Sequence, residues 1–128
     1  MRYVLGLFAL SFMLIACETK TEQATTQEST VIYKKVDAAS FKSAFEADEN
    51  KIIIDVRTPR EFNSGAVPTS INIDYLAGGF EAAVETLDKD KTIYIYCQGG
   101  MRSSKAAKVM QEKGFNHIIE LENGFSSY

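Results

Sequence analysis

The chain has 128 residues, of which 45% are hydrophobic, and its formal net charge at pH 7 is -3. This length suits one compact domain and is too short for two domains of ordinary size. With 14 basic against 17 acidic residues there is no excess of positive charge for a phosphate backbone, so we expect no nucleic-acid partner.

The first segment of the chain is typical of a secretory signal. Arg2 precedes an apolar run from Val4 to Ala16, which is too short for a helix that spans the roughly 30 Å of a bilayer core. Residues 14–17, LIAC, resemble the lipobox of bacterial lipoproteins. The resemblance implies that residues 1–16 are a signal peptide and that Cys17 is lipidated after cleavage. An uncleaved anchor and an ordinary secretory cleavage are the alternatives.

The lipid on Cys17 would hold the protein on a membrane of the bacterial cell envelope, facing the periplasm. Residues 18–30 are polar and show no periodicity, so residues 17–30 are interpreted as the lipidated cysteine and a flexible tether. The tether has a typical reach of about 20 Å. The predicted folded domain therefore covers residues 31–128.

From Val31 onward, short β-rich runs alternate with helical patterns. The predicted strands are VIYKKV (31–36), KIIIDV (51–56), SINI (70–73), KTIYIYC (91–97) and HIIEL (117–121). The predicted helices cover residues 37–48, with Phe41 and Phe45 on one face, and residues 78–90, with Phe80, Val84 and Leu87; a third carries Ala106, Val109 and Met110 and ends at Gly114. This pattern predicts an α/β fold, with a five-stranded, mostly parallel sheet and helices on both faces.

Cys97 ends the fourth predicted strand, at the edge of a parallel sheet where ligands bind. Gly99 and Gly100 allow the next residues to curl into a loop whose amides point inward, just before a helix begins. These amides, the helix N-terminus and Arg102 should lower the pKa of Cys97 and make it a nucleophile. The alternative is a buried cysteine that acts only as a small hydrophobic residue.

Residues 97–102, CQGGMR, resemble the C-x-x-G-x-R active-site loop of the rhodanese-like sulfurtransferases. Residues 55–73, DVRTPREFNSGAVPTSINI, resemble the upstream signature of that family, and residues 121–128, LENGFSSY, resemble its closing motif. The chain departs from the family pattern at Ala66 (usually histidine), Thr69 and Ser70 (Gly-Ala), Asn123 (glycine) and Tyr128 (tryptophan). The resemblance implies the rhodanese-like fold over the whole predicted domain.

The resemblance also implies a function. Cys97 is expected to take the outer sulfur of a donor such as thiosulfate, to form a persulfide, and to pass that sulfur to cyanide or a thiol acceptor. The expected partners are thus small sulfur-containing anions and thiols, with no cofactor and no metal. The residues expected to bind the substrate are Gln98, Gly99, Gly100, Met101, Arg102 and Ser103, with Asp55 and Arg57 in support.

Several alternatives remain open from the sequence. Arg57 could form a structural ion pair, with Glu61 as a candidate partner, and Ser103 and Ser104 could simply cap the helix. His117 begins a strand and is expected at the surface, without a catalytic role. A phosphatase is disfavoured because four residues separate Cys97 from Arg102, one fewer than in tyrosine-phosphatase loops. A stoichiometric persulfide carrier or binding module at the membrane surface is the main rival to an enzyme.

Overall fold

The computed structural model describes residues 30–128, along which strands and helices alternate. The strands are β1 (Ile32–Val36), β2 (Lys51–Asp55), β3 (Ile71–Asn72), β4 (Thr92–Tyr96) and β5 (His117–Leu121). The helices are α1 (Ala38–Ala47), α2 (Pro59–Asn63), α3 (Phe80–Glu85) and α4 (Met101–Glu112), and a 3₁₀ turn spans Gly124–Ser127. The predicted signal peptide, Cys17 and nearly all of the predicted tether lie outside the described residues. Within residues 30–128, no helix is long and apolar enough to cross a membrane.

The five strands form one sheet in the order β1-β5-β4-β2-β3, and every neighbouring pair is parallel. The prediction of a five-stranded parallel sheet is therefore confirmed. β4 lies at the centre, where Ile95 is level with Ile54 of β2 and with Glu120 of β5. Because all strands run the same way, their carboxyl ends meet at one edge of the sheet, where open parallel sheets bind ligands.

One face of the sheet is covered by α1. Successive side chains of a strand point to opposite faces, so Tyr94 and Tyr96 of β4 share the α1 side. Phe41 and Phe45 of α1 are buried against them, and the rings of Phe41 and Tyr94 meet edge to face with their centroids 5.6 Å apart. The predicted apolar face of this helix is confirmed.

The other face is covered by α3 and α4. Buried residues of these helices pack with the isoleucines on the opposite side of β2, β4 and β5: Phe80, Val84, Ala106 and Met110 with Ile54, Ile93, Ile95 and Ile118. Beyond α4, Gly114 has a φ of 91°, which is the left-handed conformation expected of a residue that ends a helix. Helices thus lie on both faces, as predicted.

α2 is absent from the predicted elements because its five residues are too few to show apolar periodicity. Its start is nevertheless encoded by a capping box at residues 58–61, TPRE. Thr58 Oγ1 accepts a hydrogen bond from the Glu61 amide at 3.3 Å, and the Glu61 carboxylate accepts one from the Thr58 amide at 3.0 Å. The short helix thereby holds Glu61 in place near the carboxyl edge of the sheet.

Candidate active site

Cys97 follows β4 directly, at the carboxyl edge of the sheet. It belongs to the apolar cluster on the α4 side, and only 1% of its surface is exposed. The loop after it ends at Gly100, whose φ of 97° is a conformation that favours glycine. The Gly100 amide donates a hydrogen bond to Cys97 Sγ at 3.0 Å, and Ser103 Oγ lies 3.4 Å from the same sulfur. The loop therefore curls around the thiol.

Two opposing influences set the pKa of Cys97. Burial raises the pKa and is the largest single influence, but hydrogen bonds from the Ser103 hydroxyl and from the amides of Ser103, Gly100 and Gly99 outweigh it. The pKa of Cys97 therefore lies below its ordinary value. The sulfur also faces the beginning of α4, where the helix dipole favours negative charge. The site thus favours a thiolate at a buried position.

The 3₁₀ turn holds the loop from the side opposite the thiol. The Phe125 amide donates to the carbonyl oxygen of Cys97 at 2.7 Å, and the Ser126 amide donates to that of Gln98 at 3.1 Å. Gly124 passes so close that a Cβ there would lie 2.5 Å from the Cys97 oxygen. Only glycine fits this position without displacing the loop.

Arg57 connects four parts of the site. Its guanidinium forms a buried ion pair with Asp55 at 2.6 Å and donates to the carbonyl oxygen of Gly65 at 2.6 Å. It also donates to Gln98 Oε1 at 3.0 Å, and its centre lies 4.2 Å from the centroid of the Phe125 ring. Arg57 is thus paired with Asp55, and it also reaches the cysteine loop through Gln98.

Glu61 pairs with Arg102 instead of Arg57. The Arg102 guanidinium donates to both carboxylate oxygens of Glu61, at 2.8 and 2.7 Å, in the bidentate geometry that arginine forms with carboxylates. The ion pair that the sequence left open for Glu61 therefore joins α2 to the first turn of α4. Both terminal nitrogens of the Arg102 guanidinium are thus already hydrogen-bonded to Glu61.

The Glu61–Arg102 pair should make stability depend on pH. Hydrogen bonds from Arg102, aided by Thr58, lower the pKa of Glu61 to about 2 from an ordinary 4.5. Because the folded-state pKa is depressed, the stabilisation is present above about pH 4.5 and is lost as the pH falls toward 2. Both side chains are partly exposed, so we expect Glu61→Gln to cost about 1 kcal/mol at pH 7.

Urea unfolding of the wild type and of Glu61→Gln at pH 7, 5 and 3 measures this dependence. The difference between the two proteins should shrink toward pH 3. Glu46→Gln is the matched control, because Glu46 pairs with Lys42 on an exposed face of α1 and should matter little at any pH. A difference that stays constant down to pH 3 would show that the ion pair does not stabilise the fold.

The prediction that Ser103 or Ser104 caps α4 is wrong. The N-cap is Gly100, and no side chain makes the capping hydrogen bond. The helix begins at a left-handed glycine whose amide points at the Cys97 sulfur. Ser103 and Ser104 are therefore adjacent residues within the first turn and do not precede it. Their hydroxyls lie 3.1 and 2.8 Å from the Gly100 carbonyl oxygen, and 2.7 and 2.8 Å from Oε1 of Glu120.

Glu120 is a site residue that sequence reasoning missed. It is 1% exposed, although it is charged. The available signal was an acidic residue inside the otherwise apolar run HIIEL, on the same strand face as Ile118. Arg60 was missed as well, because α2 was not predicted.

A cavity of about 500 Å³ lies beside the loop, at the edge of the sheet. Its lining combines arginines with an aromatic ring and polar groups: Arg57, Thr58, Arg60, Glu61, Ser64, Gly65, Gln98 and Phe125. Of the residues expected to bind or support substrate, Gln98 and Arg57 line this cavity. It is thus the space next to the cysteine loop in which a small anion has room.

The other residues singled out in the sequence lie outside that cavity. Met101 is 74% exposed at the start of α4, and a Cβ at Gly99 would meet nothing within 4 Å. His117 is exposed at the amino end of β5, the edge of the sheet opposite Cys97. In the described range 30–128, no three His, Cys, Asp or Glu side chains lie together in a way that could hold a metal ion.

A cysteine at the end of the central parallel strand, in a loop closed by a left-handed glycine before a helix, matches the architecture implied by the sequence motifs. The family profile described as the rhodanese-like domain matches residues 37–128. The chain belongs to the rhodanese-like domain family. The YtwF protein of Bacillus subtilis, named as a candidate sulfurtransferase, is 36% identical to this rhodanese-like domain over 95 residues, which cover 74% of this chain and 89% of YtwF.

Other relatives extend the comparison. The tRNA uridine(34) hydroxylase of Pelagibacter ubique is 33% identical over 82 residues, which cover 63% of this chain but 27% of the hydroxylase. The crystal structure of a rhodanese-related protein from Thermoplasma volcanium superposes with a TM-score of 0.65 at 28% identity, covering 74% of this chain and 89% of that one. The rhodanese-like domain thus occurs both nearly alone and as a small part of a larger protein.

Two departures from the rhodanese-like pattern fall at positions with left-handed backbone conformation. Thr69 and Asn123 stand where the family pattern has glycine, and both adopt positive φ, 64° and 60°. Asparagine tolerates this conformation, whereas threonine adopts it at a cost because its side chain is branched at Cβ. Tyr128, in place of tryptophan, stacks on Phe125 with the ring centroids 5.9 Å apart. Thr69 and Asn123 therefore carry side chains at positions where the backbone conformation favours glycine.

Proposed function

We propose that this rhodanese-like domain is a sulfurtransferase that moves sulfane sulfur from a donor such as thiosulfate to cyanide or a thiol acceptor through a persulfide on Cys97. The observation that carries the proposal is the position of Cys97 Sγ. It accepts a hydrogen bond from the Gly100 amide and faces the N-terminus of α4. Such a position stabilises an anion on sulfur. Both the attacking thiolate and the persulfide are anions of this kind.

The proposed reaction has two half-reactions. In the first, the Cys97 thiolate attacks the outer sulfur of thiosulfate; a bond from Cys97 Sγ to that sulfur forms, the donor's S–S bond breaks, and sulfite leaves with the electron pair. In the second, cyanide or an acceptor thiolate attacks the outer sulfur of the persulfide, and the Cys97 S–S bond breaks to restore the thiolate. The loop amides stabilise the negative charge on Cys97 before and after each transfer.

The cavity beside Gln98 is the proposed entry for the anionic donor. Among the described residues, Arg60 makes no ion pair, and it lines this cavity on the exposed side of α2. Arg57 and Arg102 are each matched by a carboxylate, so their positive charges are partly balanced. We propose that Arg60 supplies attraction for the donor, while Arg57 and Arg102 keep Gln98 and the first turn of α4 in place.

The test is steady-state thiocyanate formation from thiosulfate and cyanide by the purified protein, together with its intact mass after donor alone. We expect repeated turnover, and a mass gain of one sulfur atom when no acceptor is present. Cys97→Ser should lose both, with a fall in turnover of about 10³-fold or more. Cys17→Ser, which removes the other cysteine of the chain, is the matched control and should keep turnover.

The possible outcomes of this test distinguish the proposed enzyme from its alternatives. A protein that gains one sulfur but does not turn over would be a stoichiometric persulfide carrier. Hydrolysis of a phosphate ester without a sulfur adduct would favour a phosphatase, against which the engaged guanidinium of Arg102 argues. No adduct with any sulfane-sulfur donor would overturn the persulfide proposal.

A further inference from the structure

Glu120 is a buried carboxylate that the proposed sulfur chemistry does not use. It lies on β5, level with Ile95 of β4 and Lys35 of β1, and 1% of its surface is exposed. Withdrawing a carboxylate from water is strongly unfavourable unless hydrogen bonds and charge replace the lost solvation. Within residues 30–128, no buried side-chain polar atom is left without a partner, so each carboxylate oxygen of Glu120 has at least one hydrogen-bond partner.

The partners of Glu120 come from two directions. Its Oε1 accepts hydrogen bonds from Ser103 Oγ at 2.7 Å and Ser104 Oγ at 2.8 Å, both in the first turn of α4. Its Oε2 accepts a hydrogen bond from the Tyr33 hydroxyl and lies 3.8 Å from Lys35 Nζ, both on the edge strand β1. The carboxylate therefore connects the helix end that holds Cys97 with the edge of the sheet.

Ser103 is shared between Glu120 and the thiol. Its single hydroxyl hydrogen can point to Glu120 at 2.7 Å, to the Gly100 carbonyl oxygen at 3.1 Å or to Cys97 Sγ at 3.4 Å. Glu120 offers the shortest contact and an anionic acceptor, so it holds the hydrogen most strongly. In that orientation Ser103 presents only lone pairs to Cys97, and the hydrogen bond by which its hydroxyl lowers the pKa of Cys97 forms when the hydrogen turns to the sulfur.

We propose that Glu120 is a positioning residue that competes with Cys97 for the Ser103 hydroxyl and thereby sets how much of Cys97 is ionised. When the thiolate or persulfide forms, the hydroxyl turns to the sulfur, while Ser104, Tyr33 and Lys35 continue to bind Glu120. A thiolate held less tightly is intrinsically a stronger nucleophile. The inference rests on the proposed function only in taking Cys97 as the reacting group.

Other charges around Cys97 and Glu120 are already balanced or exposed. Arg102 of α4 is paired with Glu61 of α2, and Lys35 of β1 is half-exposed, so it offsets Glu120 only in part. The titratable and charged groups from the surrounding elements are Tyr33 and Lys35 of β1, Asp55 and Arg57 at the end of β2, Glu61 of α2 and Arg102 of α4. Removing the charge of Glu120 is therefore expected to change the pKa of Cys97 through the Ser103 hydroxyl that it releases.

The test is the pH dependence of iodoacetamide alkylation of Cys97 in the folded full chain, read by mass on the tryptic peptide of residues 92–102. We expect Glu120→Gln to lower the pKa of Cys97 by about one unit, with up to about tenfold faster alkylation below the wild-type pKa. Glu122→Gln makes the same charge change at an exposed position two residues away and should leave the pKa of Cys97 unchanged.

The role of Ser103 is tested by repeating the substitution in a Ser103→Ala background. If the hydroxyl carries the effect, the shift caused by Glu120→Gln falls to less than half in that background. An equal shift in both backgrounds, or no shift in a folded Glu120→Gln protein, overturns the proposal.

If Glu120→Gln does not fold, Glu120→Asp provides the second variant. It keeps the charge but withdraws it from Ser103, so the pKa of Cys97 should fall by a smaller amount in the same direction, and an unchanged pKa overturns the proposal. Alkylation needs no sulfur donor, so this result stands whether or not the protein turns over thiosulfate. Failure of the inference is thus distinguishable from failure of the proposed function.

Discussion

Replacing Gly124 with alanine is expected to destabilise the protein by about 3 kcal/mol and to reduce thiocyanate formation sharply. An alanine at the φ of 65° observed for Gly124 costs about 1–2 kcal/mol. Its Cβ would also lie 2.5 Å from the Cys97 carbonyl oxygen and 2.6 Å from the Gln98 carbonyl carbon, so the backbone must move at a further cost of about 1–3 kcal/mol. The movement displaces the loop that carries the thiol.

Gly79→Ala is the matched control for that substitution. Gly79 has a φ of 77°, but a Cβ there would meet nothing within 4 Å, so this variant reports the cost of the backbone conformation alone. Urea unfolding and steady-state turnover of both variants measure the two costs. Equal losses of stability, with turnover retained in both, would mean that the loop is not held by close approach of the 3₁₀ turn.

Replacing Arg57 with methionine is expected to cost about 3–5 kcal/mol, because it leaves the buried carboxylate of Asp55 without its cation. The Arg57 and Asp55 side chains are 3% and 0% exposed, so water cannot take over the lost contacts. Gln98 loses its hydrogen bond to Arg57 at the same time, and we therefore expect slower turnover as well.

Two further proteins make this prediction specific. Arg60→Met removes an arginine from the exposed side of α2 and should change the free energy of unfolding by no more than about 0.5 kcal/mol. The double variant Arg57→Met with Asp55→Leu should be more stable than Arg57→Met alone, because no buried charge remains unpaired. A cost below about 1 kcal/mol for Arg57→Met by urea unfolding would contradict the role of the pair.

The strands could be predicted because their sequence pattern is local. A strand covered on both faces is a nearly continuous apolar run, and KIIIDV and KTIYIYC have this form. Their order in the sheet could not be predicted, since it depends on which distant segments pack together. α2 was missed for a different reason: five residues carry no periodicity, and only the capping box TPRE marks its start.

The candidate site likewise has parts that the sequence predicts and parts that only the structure shows. Cys97, its glycine loop and the start of α4 are neighbours in the chain, so their association is visible in the sequence. The contacts that complete the site join distant residues: Glu61 and Arg102 are 41 positions apart, and Tyr33 and Glu120 are 87 apart. No local pattern predicts such pairs. The role of the buried Glu120 and the partner of Glu61 were therefore identified only in the structure.

The contacts of the 3₁₀ turn reach further than the two carbonyl groups that it binds. Each peptide unit is a rigid plane whose N–H points away from its C=O. Fixing the oxygens of Cys97 and Gln98 therefore also fixes the directions of the Gln98 and Gly99 amides on the opposite side. The Gly99 amide is one of the groups that lower the pKa of Cys97. The amide dipoles that stabilise negative charge on Cys97 Sγ are thus held in place by residues 125 and 126 before any substrate binds.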